Sequence, residues 1–293
     1  MSLPQSKPVS TVAPVPVGAE VVSVQIVGQA GLRDAQDQVA EEVPVALIYN
    51  GEPHVVMMAT PSELEDFAGG FSVTEGIVAS LYEIEDLQIV ALPQDAAHVG
   101  GGFEISMRIP AARAAALSQR QRNLQGRTGC GLCGAQTIAE AQRMPRRVPA
   151  ATPVAAAAVR RALESLRQQQ PINRATGATH AAAWATPDGA IVALREDVGR
   201  HNALDKLIGQ LLATHVDLAA GFLVITSRAS YEMVLKASMV GIALVVAVSA
   251  PTAYAIRIAE EAGITLVGFA QPERQVIYSC PGRLLASTPV LAR

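Results

Sequence analysis

Half of the 293 residues are hydrophobic and the formal net charge is −3, so the chain can bury an extensive core but has no overall electrostatic reason to bind nucleic acid through phosphates. Any anionic ligand must be held by local groups. Three cysteines make a poor disulfide framework, and the N-terminus, Met1-Ser2-Leu3-Pro4-Gln5-Ser6-Lys7-Pro8, lacks the apolar stretch of a secretory signal; together these point to a reducing cytoplasm. The length favours two modest domains.

Residues 1–40 have no sustained period and read as a flexible arm with at most one strand, at Glu20 to Val27. From Val43 to Tyr49 and from His54 to Met58 two apolar runs flank Asn50-Gly51, a strong hairpin signal. Thr60-Pro61-Ser62-Glu63 predicts a capped helix running to about Ile77, followed by strands near Leu87 to Leu92 and Phe103 to Ile109. An Ala- and Arg-rich stretch, Arg108 to Asn123, leads into a loop carrying two cysteines, with a helix expected from Ala135 to Met144. Pro145, Pro149 and Pro153 suggest a linker. A helix is expected over Val154 to Gln169. Strands His180 to Ala185 and Ile191 to Leu194 come next, then a helix from about Arg200 to Leu212 whose Leu204, Leu207, Ile208, Leu211 and Leu212 form an apolar stripe. Strand Phe222 to Thr226, helix Tyr231 to Val240, strand Ile242 to Val248, helix Thr252 to Ala262 and strand Ile264 to Phe269 complete the pattern. The longest apolar run, Met239 to Val248, is too short to span a bilayer.

Strands separated by single helices imply parallel pairing through right-handed crossovers, which brings three carboxyl ends to one sheet edge, the usual ligand position in open α/β sheets. That edge is polar: Thr226-Ser227-Arg228-Ala229-Ser230, Ser249-Ala250-Pro251-Thr252 and Phe269-Ala270-Gln271-Pro272-Glu273-Arg274. Such groups suit an anion, while the plainer account of Ser230 and Thr252 is helix capping. A second polar cluster, Arg195-Glu196-Asp197-Val198-Gly199-Arg200-His201-Asn202, suggests a wall of the same site, with His201 and Asp205 as a surface pair in the plainer account. There is no Gly-x-Gly-x-x-Gly or P-loop motif.

Gly126-Arg127-Thr128-Gly129-Cys130-Gly131-Leu132-Cys133-Gly134 places two of the three cysteines in a glycine-flanked loop. Structural zinc is disfavoured, because only Cys280 and five scattered histidines remain as further ligands. A thioredoxin-like pair would follow a strand directly. Sulfur transfer fits better: a thiolate favoured by Arg127 and the following helix would accept the outer sulfur of a donor persulfide.

The cysteine loop, with Glu196 to Lys206 and Ser227-Arg228-Ala229-Ser230-Tyr231-Glu232-Met233, resembles the FdhD family of formate dehydrogenase accessory sulfurtransferases. The likeness extends over Glu42 to Gly51, Gly69-Gly70-Phe71, Glu75-Gly76-Ile77 and Thr179 to Trp184, and covers about Glu41 to Tyr278. It implies a sulfur carrier that takes sulfur from a cysteine desulfurase and delivers it to the Mo-bis(molybdopterin guanine dinucleotide) cofactor for formate dehydrogenase, with a homodimer as the expected assembly. Cys130 matches the persulfide-carrying cysteine and Cys133 its partner. The cofactor-binding stretch falls on Phe269, Ala270, Gln271, Pro272, Glu273 and Arg274, and a GDP fragment is expected there with Arg228 and Arg274 near its phosphates. The implied fold is α/β: an arm over 1–40, an α+β domain over 41–145 ending in the cysteine loop, and a cytidine deaminase-like α/β domain over 146–293. Deamination itself is not expected, because Gly129 stands where a zinc deaminase has proline and no His-x-Glu segment exists. A chaperone that holds the cofactor without transferring sulfur is the rival expectation.

Overall fold

The computed structural model describes residues 14–29, 31–94, 101–122 and 143–286. β1 (Ala19–Gly28) and β2 (Gly31–Ala40) pair along their full lengths as an antiparallel ribbon. The predicted strand at Glu20 to Val27 lies within β1, but the rest of the expected arm that is described includes its partner. Gly31-Leu32-Arg33-Asp34-Ala35-Gln36-Asp37 is largely exposed on both faces, so no apolar alternation marked it as a strand.

β3 (Val43–Tyr49) and β4 (Glu52–Ala59) form the predicted hairpin. Asn50 at φ 52° and Gly51 at φ 83° supply the two left-handed residues that a tight primed turn needs. α1 (Leu64–Thr74), β5 (Asp86–Leu92) and β6 (Gly102–Arg108) complete a four-stranded sheet in the order β4-β3-β6-β5, with β3 and β6 parallel. Phe67 and Phe71 of α1 and Leu47 and Ile105 of the sheet belong to its core. α1 ends at Thr74, short of the predicted Ile77, and starts later than predicted because Thr60 is recruited elsewhere. Its N–H donates to Asp197, its carbonyl accepts from Lys206 and its hydroxyl accepts from the Val198 N–H. α2 (Ala111–Arg122) leads toward the cysteine pair, and both cysteines and most of the predicted Ala135 to Met144 helix lie outside the described residues. The proline-rich stretch has no regular structure, yet it is tied down: Val148 N–H donates to Ala262 O at 2.9 Å and Thr152 N–H to Ala219 O at 3.0 Å.

The remainder runs β7 (Val154–Ala155), α3 (Ala156–Leu166), α4 (Pro171–Thr176), β8 (His180–Ala185), β9 (Ile191–Asp197), α5 (Arg200–Ala213), β10 (Phe222–Ile225), α6 (Tyr231–Met239), β11 (Leu244–Ala247), α7 (Ala253–Ala262), β12 (Thr265–Gln271), β13 (Arg274–Ser279) and β14 (Leu284–Leu285). The six-stranded sheet has the order β13-β12-β11-β10-β8-β9. β10, β11 and β12 are parallel, as single crossover helices require. α5, α6 and α7 pack on one face, burying Leu204, Leu207, Ile208 and Leu211, and α3 packs on the other through Val159 and Ala162. The class is mixed α/β. Four elements were not foreseen: β7, which takes the first two residues of the predicted helix to pair with the equally unforeseen β14; α4, begun by Pro171 and ended by Gly177 at φ 69°; and β13. The β1–β2 ribbon rests on α4.

α1 crosses α5 with their backbones in near contact. A Cβ on Gly70 would lie 1.8 Å from Asp205 O, and one on Gly209 would lie 1.9 Å from Asp66 O. Two ionic clusters reinforce this crossing. Lys206 reaches Asp197 at 2.8 Å with both side chains fully buried. Lys236 lies 2.9 Å from Asp205 and 2.8 Å from Glu75. The Thr74 hydroxyl donates to Asp205 at 2.7 Å.

Burial works to raise the Glu75 carboxyl, but Lys236 and Arg143 beside it override this and hold its pKa near about 2. A depressed carboxylate contributes stability above its unfolded pKa of 4.5 and loses it as pH falls toward about 2. Glu75→Gln is therefore expected to lower stability at pH 7, with the gap from the parent closing across that acidic window. Because 32% of the side chain is exposed, solvent screening reduces the effect. Urea melts at several pH values would check it, and a gap that persists at pH 2 would contradict the ionic origin.

Candidate functional site

The carboxyl edge of the parallel strands is built by backbone bonds that carry the sheet past its last residues. Val248 N–H donates to Ile225 O at 2.9 Å, Thr252 N–H to Ala229 O at 3.0 Å and Phe269 N–H to Ser249 O at 3.0 Å. The three polar strand ends therefore meet on one edge. β9 runs parallel to β10, so α5 also starts at this edge, alongside α6 and α7.

The plainer account holds for Thr252, whose hydroxyl accepts the Ala255 N–H at 3.2 Å and caps α7. It fails for Ser230. That residue stands at the start of α6, but its side chain makes no capping bond and its buried Oγ has no hydrogen-bond partner. Nearby, His201 Nε2 lies 2.8 Å from Glu232 Oε2, joining the first turns of α5 and α6, and the Arg200 Nε is buried without a partner. Burial, then the neighbouring Arg200 and His201, push the His180 imidazole below its usual pKa. His180 is accordingly expected to remain neutral at pH 7, with an NMR titration midpoint below about 6.5; a midpoint above that would place it away from these charges.

The cluster at 195–202 divides into two roles. Arg195 pairs with Asp66 at 2.6 Å. Glu196 is buried and accepts from the Ile172 and Asn173 N–H groups and the Thr179 hydroxyl, fastening α4. Asp197 accepts from the Thr60 and Gly199 N–H groups and from Asn202. These three side chains hold the frame, and only Arg200 and His201 remain for the edge. The surface pairing of His201 with Asp205 does not occur: Asp205 is 1% exposed and bound to Lys236.

β12 does not end in a loop at Phe269. It continues through a bulge to Gln271, turns at Pro272-Glu273 and returns as β13, with Gln271 opposite Arg274. Phe269, at φ 46°, is 43% exposed, and the Arg274 guanidinium lies 6.0 Å from its ring centroid. Ala270 is buried on the α3 side of the sheet. Pro272, Glu273 and Arg274 line a groove of about 360 Å³ between this hairpin and the first turn of α3. Arg228 is exposed at the end of β10 and is not part of that groove. Arg160 and Gln275, which do line it, carried no sequence signal.

Cys130 and Cys133 lie outside the described residues, and the chain is described again from Arg143. Arg143 N–H donates to the Tyr231 hydroxyl at 2.8 Å. Its guanidinium reaches Glu75 at 2.6 Å and Thr74 O at 2.9 Å. Tyr231 opens α6 at the sheet edge and stacks on Tyr254, with ring centroids 4.7 Å apart.

The model of the FdhD/NarQ family matches residues 40–285. The chain belongs to the FdhD/NarQ family. Among FdhD relatives, the sulfur carrier protein FdhD of Xanthomonas euvesicatoria pv. vesicatoria is 52% identical over 249 residues, covering 85% of this chain and 86% of that protein. The protein of the same name from Cupriavidus necator is 47% identical over 248 residues, covering 85% and 84%. A crystal structure from Desulfotalea psychrophila, of a protein assigned as a formate dehydrogenase accessory protein, superposes with a TM-score of 0.70 at 23% identity and covers 92% of this chain and all of that one. The family expected from the cysteine loop and the strand-end motifs is the one found. Among the described residues of this FdhD/NarQ member, no helix is long and apolar enough to cross a membrane.

Proposed function

We propose that the protein is a sulfur carrier in which Cys130 receives a persulfide sulfur from a cysteine desulfurase and passes it to the Mo-bis(molybdopterin guanine dinucleotide) cofactor destined for formate dehydrogenase. The observation that carries this reading is the tie from Arg143 to Tyr231: the chain leaving the cysteine segment is anchored at the sheet edge where anion-binding groups gather. Relatives at 47–52% identity named sulfur carrier protein FdhD support the same role.

In the loading step the Cys130 thiolate attacks the outer sulfur of the donor persulfide. A new S–S bond forms on Cys130, the donor S–S bond breaks, and the donor leaves as a thiolate, with no net oxidation. In a second step the Cys133 thiolate would attack Cys130 Sγ. The outer sulfur leaves as sulfide and a Cys130–Cys133 disulfide remains, which a cellular thiol must reduce before the next cycle. The cofactor is the cargo. This chain's contribution is to hold its anionic groups at the edge through Arg228, Arg274 and the helix N-termini.

Two measurements test the reading. Incubation with cysteine and a desulfurase should add one sulfur atom to Cys130, read by peptide mass spectrometry, and Cys130→Ala should fail to activate formate dehydrogenase in cells lacking the native protein. Activation by that variant, or labelled sulfur that stays on the preloaded protein when cofactor is supplied, would instead favour a chaperone that transfers no sulfur.

A further inference from the structure

We propose that the junction between the first turns of α5 and α6 is a subsite for a compact oxyanion, with Arg200 and Ser230 as its binding residues. This rests on the reading that the chain holds an anionic cargo at the sheet edge, and goes further by assigning residues to one of its anionic groups, either the oxo-bearing metal end or a phosphate. The junction stands apart from the β12–β13 hairpin, because β8 and β12 are three strands apart in the sheet, a separation of about 14 Å.

Three elements build the junction. β8 lies between β10 and β9 and runs antiparallel to both, so its first residue, His180, stands at the edge where β9 leads into α5 and β10 into α6. His201 and Glu232, 2.8 Å apart, tie the two helices together at their second residues. Arg200, the first residue of α5, and Ser230, the N-cap of α6, flank that tie.

Three buried polar atoms here lack hydrogen-bond partners: Ser230 Oγ, Arg200 Nε and His201 Nε2, whose approach to Glu232 is close but not aligned for a hydrogen bond. Leaving such atoms unpaired is costly, and their concentration at one junction marks a place where a ligand supplies the missing partners. Their chemistry sets its class. Arg200 Nε–H and the Ser230 hydroxyl donate, and no side chain caps the first turn of α5 or of α6. Glu232 faces His201, while the carboxylates before α5 are taken, Asp197 by Lys206 and Glu196 by the Ile172 and Asn173 N–H groups. The Arg200 guanidinium makes no ion pair among the described residues. Convergent donors beside an unpaired guanidinium suit a tetrahedral oxyanion.

The test is titration of the full chain with molybdate and, separately, with inorganic pyrophosphate, followed by calorimetry and by NMR of the histidine side chains. Bound anion should shift the His180 and His201 resonances and raise the His180 midpoint by countering the Arg200 charge that helps to depress it, while His215, beyond the far end of α5 and about 20 Å away, stays unmoved. Arg200→Gln should weaken binding about 10- to 100-fold and Ser230→Ala about 3- to 10-fold. Neither should lower the Tm, because neither side chain makes a bond that the fold would lose. Weakening of molybdate alone assigns the subsite to the metal end of the cargo, of pyrophosphate alone to a phosphate, and of both to oxyanions at large. A lowered Tm with binding intact would make both residues structural and overturn the assignment. So would a parent in which neither anion moves His180, and that result would leave the sulfur-carrier reading standing, since loading of Cys130 tests it separately.

Discussion

Lys236→Met is expected to destabilise the fold by about 3–5 kcal/mol, the cost of stripping the partner from a buried charge. Asp205 is 1% exposed, accepts the Thr74 hydroxyl and has Lys236 Nζ within 3.0 Å of one carboxylate oxygen and 2.9 Å of the other. Burial works against the Lys236 charge, but Asp205 and Glu75 together hold its pKa above the usual lysine range. Removing the ammonium leaves Asp205 unpaired in the interior, where it must either carry a costly charge or take up a proton. The double variant Asp205→Leu with Lys236→Met should recover most of the loss, since an apolar pair of similar volume is often as stable as the ion pair it replaces. Denaturant melts of the two variants and the parent measure both effects. A single variant within about 1 kcal/mol of the parent would mean that water reaches the pair. The functional consequence is local: Glu75 links Lys236 to Arg143, so the anchor after the cysteine segment shares this cluster.

The alternation of strands and helices from His180 to Phe269 was legible because it is written in local patterns, namely short apolar runs, amphipathic stripes and polar strand ends. Asn50-Gly51 was legible for the same reason, since both left-handed angles are local requirements. What escaped depends on partners distant in sequence. Thr60 reads as a cap, yet residues near 200 occupy its backbone and side chain. Glu196 and Asp197 look like site carboxylates, but besides the local partners of Asp197 at Gly199 and Asn202 they are held by groups at 172–173 and at Thr60, which a local reading cannot supply. β13 was missed because Arg274-Gln275-Val276 has little apolar content, and with it went the groove, which exists only because the hairpin folds back on α3. Asp205 and Lys236 sit on different helices, and Thr74 is 131 positions from Asp205 in sequence. The candidate edge was found from topology, while the division of its residues between scaffold and ligand required the contacts.

Gly209→Val is expected to cost about 3 kcal/mol or more, above the ordinary range for overpacking, and to lower the Tm by about 6–12 °C. The reason is the identity of the obstructing atoms. A Cβ at this position would stand 1.9 Å from Asp66 O and 2.7 Å from Asp66 C, backbone atoms of α1 or its immediate frame that no rotamer change can move. Gly70 meets the reciprocal obstruction at Asp205 O and Gly209 N, so the two helices touch through both glycines and must separate as rigid bodies if either gains a side chain. Separation would pull Thr74 from Asp205 and Arg195 from Asp66, adding polar losses to the lost packing. It would also shift α1, which carries the Thr74 carbonyl that binds Arg143. Gly28→Ala provides the control, because nothing lies within 4 Å of a Cβ there; its Tm should stay near that of the parent. Thermal melts of the three proteins decide the matter. A Gly209→Val variant as stable as Gly28→Ala would mean that α1 and α5 do not cross at backbone contact. If the crossing is as close as these distances require and Cys130 carries sulfur as proposed, desulfurase loading of Cys130 in the folded variant should survive better than delivery to the cofactor. On that proposal, loading needs only an accessible thiolate, whereas delivery needs the cysteine segment held in register with the sheet edge.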